Sequence, residues 1–121
     1  MTLKKTLVLG ASENPNRYAN KAIKKLVVKK HPVIAIGNKR GFVDDVKIET
    51  ELAKQEDIDT ITLYLGAKNQ PSYFDIIKKL KPRRIIFNPG TENPILESLA
   101  KKEEIEVIHG CTLVMLSTNQ Y

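Results

Sequence analysis

The chain has 121 residues, a net charge of +6 and an apolar fraction of 41%, which suit one globular domain with a single core. It has no apolar run near the roughly 20 residues of a membrane-spanning helix, so we expect no membrane association. Its single cysteine, Cys111, excludes an internal disulfide and suits a reducing compartment, so we expect a cytoplasmic protein.

The first half of the chain predicts two strands separated by a helix. Apolar runs predict strands at Thr6–Leu9 and Val33–Ile36, and apolar residues at helical spacing predict a helix over Tyr18–Lys30. The charged segment Gly37–Lys47 predicts a loop, with room for a short extended piece at Val43 or Val46. A shorter helix is predicted at Ile48–Ala53.

The second half repeats the alternation three times. Nearly continuous apolar runs, typical of strands covered on both faces, predict strands at Thr60–Leu65, Arg84–Phe87 and Glu106–Ile108. Helical spacing predicts helices at Tyr73–Leu80 and Ile95–Ala100, and a short terminal helix at Thr112–Leu116.

Repeated strand–helix units predict an α/β fold, because such units connect by right-handed crossovers. We predict one Rossmann-like, three-layer α/β/α domain over residues 1–121, with a five-stranded, mostly parallel sheet in the order 3-2-1-4-5. Ligands of such sheets bind at the carboxyl ends of the strands near the switch point, which this order puts between the first and fourth strands.

The loop after the first strand predicts an anion-binding turn. The apolar run ends at Gly10, small residues follow, and the helix begins near Tyr18. Small residues let backbone N–H groups approach an anion, and a helix directs its positive end at it. Arg17 adds a cation beside the turn. The loop therefore predicts a small-molecule, nucleotide-like ligand that carries phosphate.

The second strand argues against NAD as this ligand. The dinucleotide fingerprint G-x-G-x-x-G is absent, and so is the acidic residue that binds the ribose hydroxyls. In its place stand Asn38, Lys39 and Arg40. Two adjacent cations suit a ribose phosphate, as in NADP or coenzyme A, or they form a solvated loop.

Three stretches together resemble a known family. They are the segment from Gly10 to Tyr18, the segment Ile34–Asn38 and the segment Ile108–Leu116 with its Cys-Thr pair. They resemble the small stand-alone coenzyme A-binding domain proteins, which are similar to the CoA-binding domain of the succinyl-CoA synthetase α subunit. The chain departs from many relatives at Asn88-Pro89-Gly90, where those carry a Leu-Gly or similar pair.

The resemblance implies CoA or an acyl-CoA as the ligand. It implies that the backbone from Gly10 to Ser12 meets the pyrophosphate beside Arg17, that Asn38 and Lys39 lie along the adenosine, and that two further strand ends line the remainder. The predicted binding residues are Gly10, Ala11, Ser12, Asn14, Pro15, Arg17, Tyr18, Asn38, Lys39, Arg40, Leu65, Gly66, Asn88, Pro89, Gly90 and Cys111.

The sequence predicts no catalytic residue. His109 and Cys111 could pair as base and nucleophile, but no third group is evident to orient the base. Cys111 could instead form a mixed disulfide with the CoA thiol or pack as a small residue. Two histidines and one cysteine give no zinc-site spacing, so we predict no metal.

We therefore predict non-catalytic, or partner-dependent, binding of CoA. Unlike the synthetase, the chain has no second domain for a phosphorylated histidine, so we expect no ligase activity by this chain alone. Basic residues are not interleaved with aromatics, so we expect no nucleic-acid partner. A protein partner or homo-oligomer stays open, as do two alternatives: a small NADP-dependent oxidoreductase and a nucleotide-sensing adaptor.

Overall fold

The protein is described by a computed structural model over residues 2–121. The strands are β1 (Thr6–Leu9), β2 (Val33–Ile36), β3 (Gly41–Val43), β4 (Val46–Glu49), β5 (Thr60–Leu63), β6 (Arg84–Phe87) and β7 (Glu106–His109). The α-helices are α1 (Tyr18–Val28), α2 (Phe74–Leu80), α3 (Pro94–Lys102) and α4 (Thr112–Ser117). Two 3₁₀ turns, Ala67–Asn69 and Pro71–Tyr73, lie between β5 and α2.

Within residues 2–121, the strands form one sheet in the order β3-β4-β2-β1-β5-β6-β7. Every neighbouring pair is parallel except β3 and β4, which form an antiparallel hairpin. The predicted Rossmann-like α/β fold with a mostly parallel sheet is confirmed.

Three parts of the predicted topology are wrong. The sheet has seven strands rather than five, because the predicted loop contains the hairpin β3–β4. The predicted helix at Ile48–Ala53 is absent, since Ile48 belongs to β4 and Leu52 lies in irregular backbone. The predicted order 3-2-1-4-5 is also wrong. It placed the third predicted strand, which is β5 in the structure, beside β2. In the structure β4 pairs with β2 on that side, and β5 pairs with β1. The switch point consequently lies between β1 and β5.

The sheet is covered on both faces. Alternate side chains of β1 point in opposite directions, so Leu7 and Leu9 join one buried cluster and Val8 joins the other. The first cluster includes Ile77 of α2 and Leu96 of α3, and the second holds apolar residues of α1 and α4. Each such fully buried side chain contributes about 1.5–3 kcal/mol of hydrophobic stabilisation. Within residues 2–121, the helices are too short or too polar to cross a bilayer.

Candidate functional site

A cleft of about 560 Å³ opens at the carboxyl edge of the sheet, where the loops after β1, β2, β5 and β6 meet. It is lined by Gly10, Ala11, Ser12, Arg17, Tyr18, Ala19, Gly37, Asn38, Tyr64, Leu65, Gly66, Asn69, Ser72, Tyr73, Pro89, Gly90 and Thr91. The cleft lies at the switch point between β1 and β5, where sheets of this kind bind ligands.

Two glycines let three chain segments meet at the base of the cleft. Gly10 has a φ of +96°, and a Cβ there would lie 2.8 Å from the carbonyl carbon of Tyr64. A Cβ on Gly37 would overlap the carbonyl oxygen of Ala11. The N–H groups of Gly10 and Ala11 both donate to the carbonyl of Ile36 at 2.9 Å. The base of the cleft is therefore tied by backbone contacts that side chains would prevent.

The loop between β1 and α1 is held by side chains. The Ser12 hydroxyl accepts from the N–H of Asn14 at 3.1 Å, and the Asn14 side chain accepts from the N–H of Asn16 at 2.9 Å. The buried amide of Asn20, on α1, donates to the Ser12 carbonyl at 3.0 Å. These contacts fix the path of the loop before the helix begins.

The start of α1 faces the cleft without a side-chain cap. Arg17 is the N-cap residue, and its side chain makes no capping hydrogen bond. The N–H groups of Ser12, Tyr18 and Ala19 donate to no protein group in the described part of the chain. Because the first N–H groups of a helix carry partial positive charge, this wall offers donors to an anion. Arg17 is exposed and supplies the lining's charged side chain.

The opposite wall is held by Gln70, which is 1% exposed. Its amide nitrogen donates to the carbonyls of Leu65 and Thr91 at 2.9 and 2.7 Å. Its amide oxygen accepts from the side chain of Asn93 at 3.0 Å. Gln70 thus joins the loop after β5 to the loop after β6.

A second buried network adjoins the cleft-lining residue Tyr64. The Asn88 amide nitrogen donates to the Thr62 hydroxyl at 2.7 Å and to the Leu63 carbonyl at 2.8 Å. Its oxygen accepts from the N–H of Thr112 at 2.8 Å. Burial raises the pKa of Tyr64 to about 12, although the neighbouring Thr112 and Thr62 hydroxyls partly offset the effect. The Tyr64 phenol therefore stays protonated at neutral pH.

The two cations after β2 lie at the rim and not in the lining. Lys39 and Arg40 are exposed. The Arg40 Nε lies 4.0 Å from the Glu49 carboxylate, which also has Lys47 at 3.8 Å. Lys39 forms no ion pair within residues 2–121.

His109 and Cys111 are not paired. The Nε2 of His109 lies 2.6 Å from the Glu97 carboxylate of α3, and its ring stacks on Phe87. The Glu97 carboxyl has a lowered pKa because Lys101 and His109 bond to it. Cys111 is a half-buried free thiol at the N-cap of α4, outside the cleft lining. The Nε2 of His109 is thus engaged by Glu97 rather than by Cys111.

The structure brings most of the predicted binding residues together. Those that line the cleft are Gly10, Ala11, Ser12, Arg17, Tyr18, Asn38, Leu65, Gly66, Pro89 and Gly90. Contact with a ligand stays a prediction for all of them, and for those outside the lining, which are Asn14, Pro15, Lys39, Arg40, Asn88 and Cys111.

Sequence reasoning missed part of the lining. The missed residues are Ala19, Gly37, Tyr64, Asn69, Ser72, Tyr73 and Thr91. Gly37 directly follows a predicted strand, and Asn69 and Thr91 lie in loops after predicted strands, so position in the chain was the available signal for these three. Tyr64 lies inside the predicted strand Thr60–Leu65. Tyr73 was interpreted only as part of an apolar helix stripe.

The lining combines one cationic side chain with neutral ones. Arg17 and the free N–H groups can hold an anion, whereas the other side chains are neutral. The lining contains no carboxylate, histidine or cysteine to act as a general base or nucleophile. Across residues 2–121, the metal-ligating side chains form no group of three or more that could hold an ion.

Comparison with known proteins gives a family match. A family model described as a CoA binding domain matches residues 4–117. A solved structure of an uncharacterized protein is 45% identical, matches 100% of both chains and has a TM-score of 0.96. No curated protein matches the chain.

Two more distant structures share the fold. A hypothetical protein from Pyrococcus horikoshii OT3 is 22% identical, with a TM-score of 0.86 over 96% of this chain and 83% of that one. An acetyl-coenzyme A synthetase from Ca. Korarchaeum cryptofilum, solved with phosphate and ADP, is 14% identical. Its TM-score is 0.72, and the match covers 89% of this chain and 26% of the synthetase.

Proposed function

The chain belongs to the CoA binding domain family, and from that premise we propose that it binds coenzyme A or an acyl-CoA in the cleft between β1 and β5. We propose further that it performs no chemistry on this ligand by itself. The ligand would lie across the carboxyl edge of the sheet, with its phosphates against the loop after β1.

The observation that carries this proposal is the uncapped start of α1. Its free N–H groups and that of Ser12 belong to residues that line the same cleft as Arg17. A diphosphate fits such a group of donors, because helix N-termini and a guanidinium both favour negative charge. The N–H groups of Gly10 and Ala11 already bond to Ile36, so Ser12 is the first donor of the loop available to a phosphate.

The adenosine part would extend towards the end of β2. Asn38 lines the cleft there, and Lys39 follows it at the rim. Lys39 has no carboxylate partner in the described chain, whereas Arg40 lies near Glu49. Lys39 is therefore the better candidate for a ribose phosphate.

The neutral lining supports binding without catalysis. Tyr64 keeps its proton at neutral pH, and the lining contains no carboxylate, histidine or cysteine. In the synthetase neighbour the matching region is 26% of the chain, so a CoA-dependent reaction that involves this domain would draw its remaining groups from a protein partner.

A thermal-shift panel tests the proposal. We expect CoA and acetyl-CoA to raise the melting temperature, dephospho-CoA to raise it less, and NAD to leave it unchanged. Bound ligand stabilises by RT ln(1 + [L]/Kd), which is about 2.7 kcal/mol at a hundredfold excess over Kd. A shift with NADP alone would favour the oxidoreductase alternative. Shifts with many adenine nucleotides alike would favour the nucleotide-sensing adaptor.

A further inference from the structure

The far wall of the cleft depends on one buried side chain that does not itself line it. Gln70 uses both amide hydrogens on backbone carbonyls, those of Leu65 and Thr91, which are cleft-lining residues on two different loops. The two loops follow β5 and β6, so the side chain spans the distance between neighbouring strand ends. Without it, the carbonyls of the buried Thr91 and the half-buried Leu65 would lose this donor.

The orientation of this amide is determined by a helix cap. The Asn93 oxygen accepts from the N–H groups of Ile95 and Leu96 at 3.1 and 3.4 Å, which caps α3. The Asn93 nitrogen must then point away from the helix, and it donates to the Gln70 oxygen at 3.0 Å. That contact directs the Gln70 nitrogen at the two wall carbonyls, because an amide has one acceptor end and one donor end.

The two walls of the cleft are held by separate side chains. Asn20 holds the loop after β1, where the anion-binding donors lie. Gln70 holds the wall that includes Leu65, Gly66 and Thr91. The contacts of these two side chains share no residue, so a change at one wall can leave the other in place.

We propose that Gln70 is a positioning residue that shapes the far wall for the pantetheine arm of CoA and leaves the nucleotide end unaffected. The inference rests on the proposed function, because it assigns the two walls to two parts of one ligand. The diphosphate takes the charged wall at α1. The uncharged amide arm takes the neutral wall, whose lining includes Asn69 and Ser72.

Two variants remove the hydrogen bonds between Gln70 and this wall in different ways. Gln70→Met keeps the length of the side chain and removes both donors. Asn93→Asp keeps the oxygen that caps α3 but replaces the donor to Gln70 by an acceptor, which favours rotation of the Gln70 amide by half a turn. Its oxygen would then face the two wall carbonyls. Gln120→Met is the matched control, since Gln120 is exposed and lies outside the cleft lining.

The experiment measures Kd by calorimetry for CoA and for 3′-phospho-ADP, which keeps the nucleotide and diphosphate of CoA but lacks its pantetheine arm. We expect Gln70→Met and Asn93→Asp to weaken CoA at least about tenfold, because two wall carbonyls lose a donor and even one lost buried hydrogen bond costs on this scale. Both should change 3′-phospho-ADP less than about twofold. Gln120→Met should match the wild type with both ligands. A melting curve for each variant sets a temperature at which it is folded.

The outcomes separate this inference from the proposed function. Equal losses for both ligands would mean that Gln70 supports the whole fold rather than one wall, and that would overturn the inference alone. Unchanged CoA affinity in a folded Asn93→Asp variant would do the same, even if Gln70→Met failed to fold. A wild-type protein that binds neither ligand would overturn the proposed function, and the inference with it.

Discussion

Arg17 has two properties that suit a ligand-binding residue rather than a structural one. It is exposed, and it lines the cleft beside the free N–H groups of α1. Its backbone carbonyl already serves the helix by accepting from Asn20 and Lys21. The side chain is therefore free for a ligand and contributes little to packing.

We expect Arg17→Ala to weaken CoA binding by about 1.5–3 kcal/mol, the range for a hydrogen bond to a charged group, with a melting temperature within a degree or two of the wild type. Calorimetry and thermal unfolding measure the two quantities. Lys24→Ala, an exposed cation farther along α1, is the control and should bind normally. Normal binding by Arg17→Ala with early unfolding would instead make Arg17 a structural tie.

Gly37 offers a test of the close approach at the base of the cleft. An added Cβ would overlap the Ala11 carbonyl, so the loop after β1 has to shift. We expect Gly37→Ala to destabilise the protein by about 1–3 kcal/mol, as overpacking does, and to weaken CoA binding as well. Denaturant unfolding measures the first effect and calorimetry the second.

Gly66→Ala is the matched control for that substitution. Gly66 also lines the cleft, but nothing lies within 4 Å of an added Cβ, and its φ of −62° suits alanine. The free energy of unfolding of Gly66→Ala should differ from that of the wild type by less than about 0.5 kcal/mol. Equal destabilisation by the two substitutions would contradict the role given to Gly37.

Local signals explain which site residues the sequence could predict. Gly10 and Arg17 belong to one strand–loop–helix pattern whose parts are adjacent in the chain, so their place in the cleft followed from spacing. Gln70 and Asn20 carry no such signal, because each acts on a carbonyl that only the folded chain brings near. Gln70 bonds to Thr91, which is 21 residues away. A buried amide and an exposed one look the same in a sequence.

At the scale of elements, the hairpin β3–β4 is what the sequence interpretation missed. Its alternation was present: Val43 and Ile48 are buried, whereas Phe42 and Lys47 are exposed. The two strands are only three and four residues long, and such short alternations are outweighed by the surrounding charges. Longer apolar runs gave the five core strands correctly. The apolar runs could not give the strand order, because the outer neighbour of β2 is β4, which was not predicted as a strand.

Ile48 tests whether β4 is part of the core. Its side chain is fully buried in the cluster that also holds Val8 and Ile23. We expect Ile48→Ala to lower the free energy of unfolding by about 2–5 kcal/mol. Lys47→Ala, on the exposed face of the same strand, should change it by less than about 0.5 kcal/mol. Chemical denaturation measures both, and a small effect at Ile48 would contradict the place of β4 in the core.

At the scale of the whole molecule, the sheet has two functionally different edges, one formed by the carboxyl ends of the strands and one by their amino ends. The carboxyl edge carries the cleft. The amino edge carries a network around Tyr121, whose ring lies 4.4 Å from the guanidinium of Arg84 and 4.9 Å from the ring of His31. The Tyr121 hydroxyl bonds to Thr6, and its carbonyl accepts from Lys4 at 3.0 Å. The C-terminal segment is thereby tied to the first and sixth strands, on the edge away from the cleft.

His31 makes the stability of this edge depend on pH. It is 6% exposed, and its Nδ1 accepts from the backbone N–H of Lys4 at 2.9 Å. This contact favours the neutral ring that carries its proton on Nε2. Burial lowers the pKa of His31 below its ordinary 6.5, and the nearby charges of Lys4 and Arg84 lower it further, against a smaller opposing effect of Asp59.

The free energy of unfolding should consequently decrease as the pH falls below about 6.5, the value at which an unfolded histidine takes up its proton. Between that pH and the lower pKa of the folded state, the unfolded chain binds more protons, so stability rises with pH across this window and is complete above it.

Melting temperatures from pH 8 to pH 5 measure the effect. His31→Gln, whose side-chain oxygen can still accept from Lys4, should reduce the slope. A slope that is the same in wild type and His31→Gln would assign the pH dependence to groups other than His31. CoA should raise the melting temperature at every pH without removing the slope, because its cleft and His31 lie at opposite edges of the sheet.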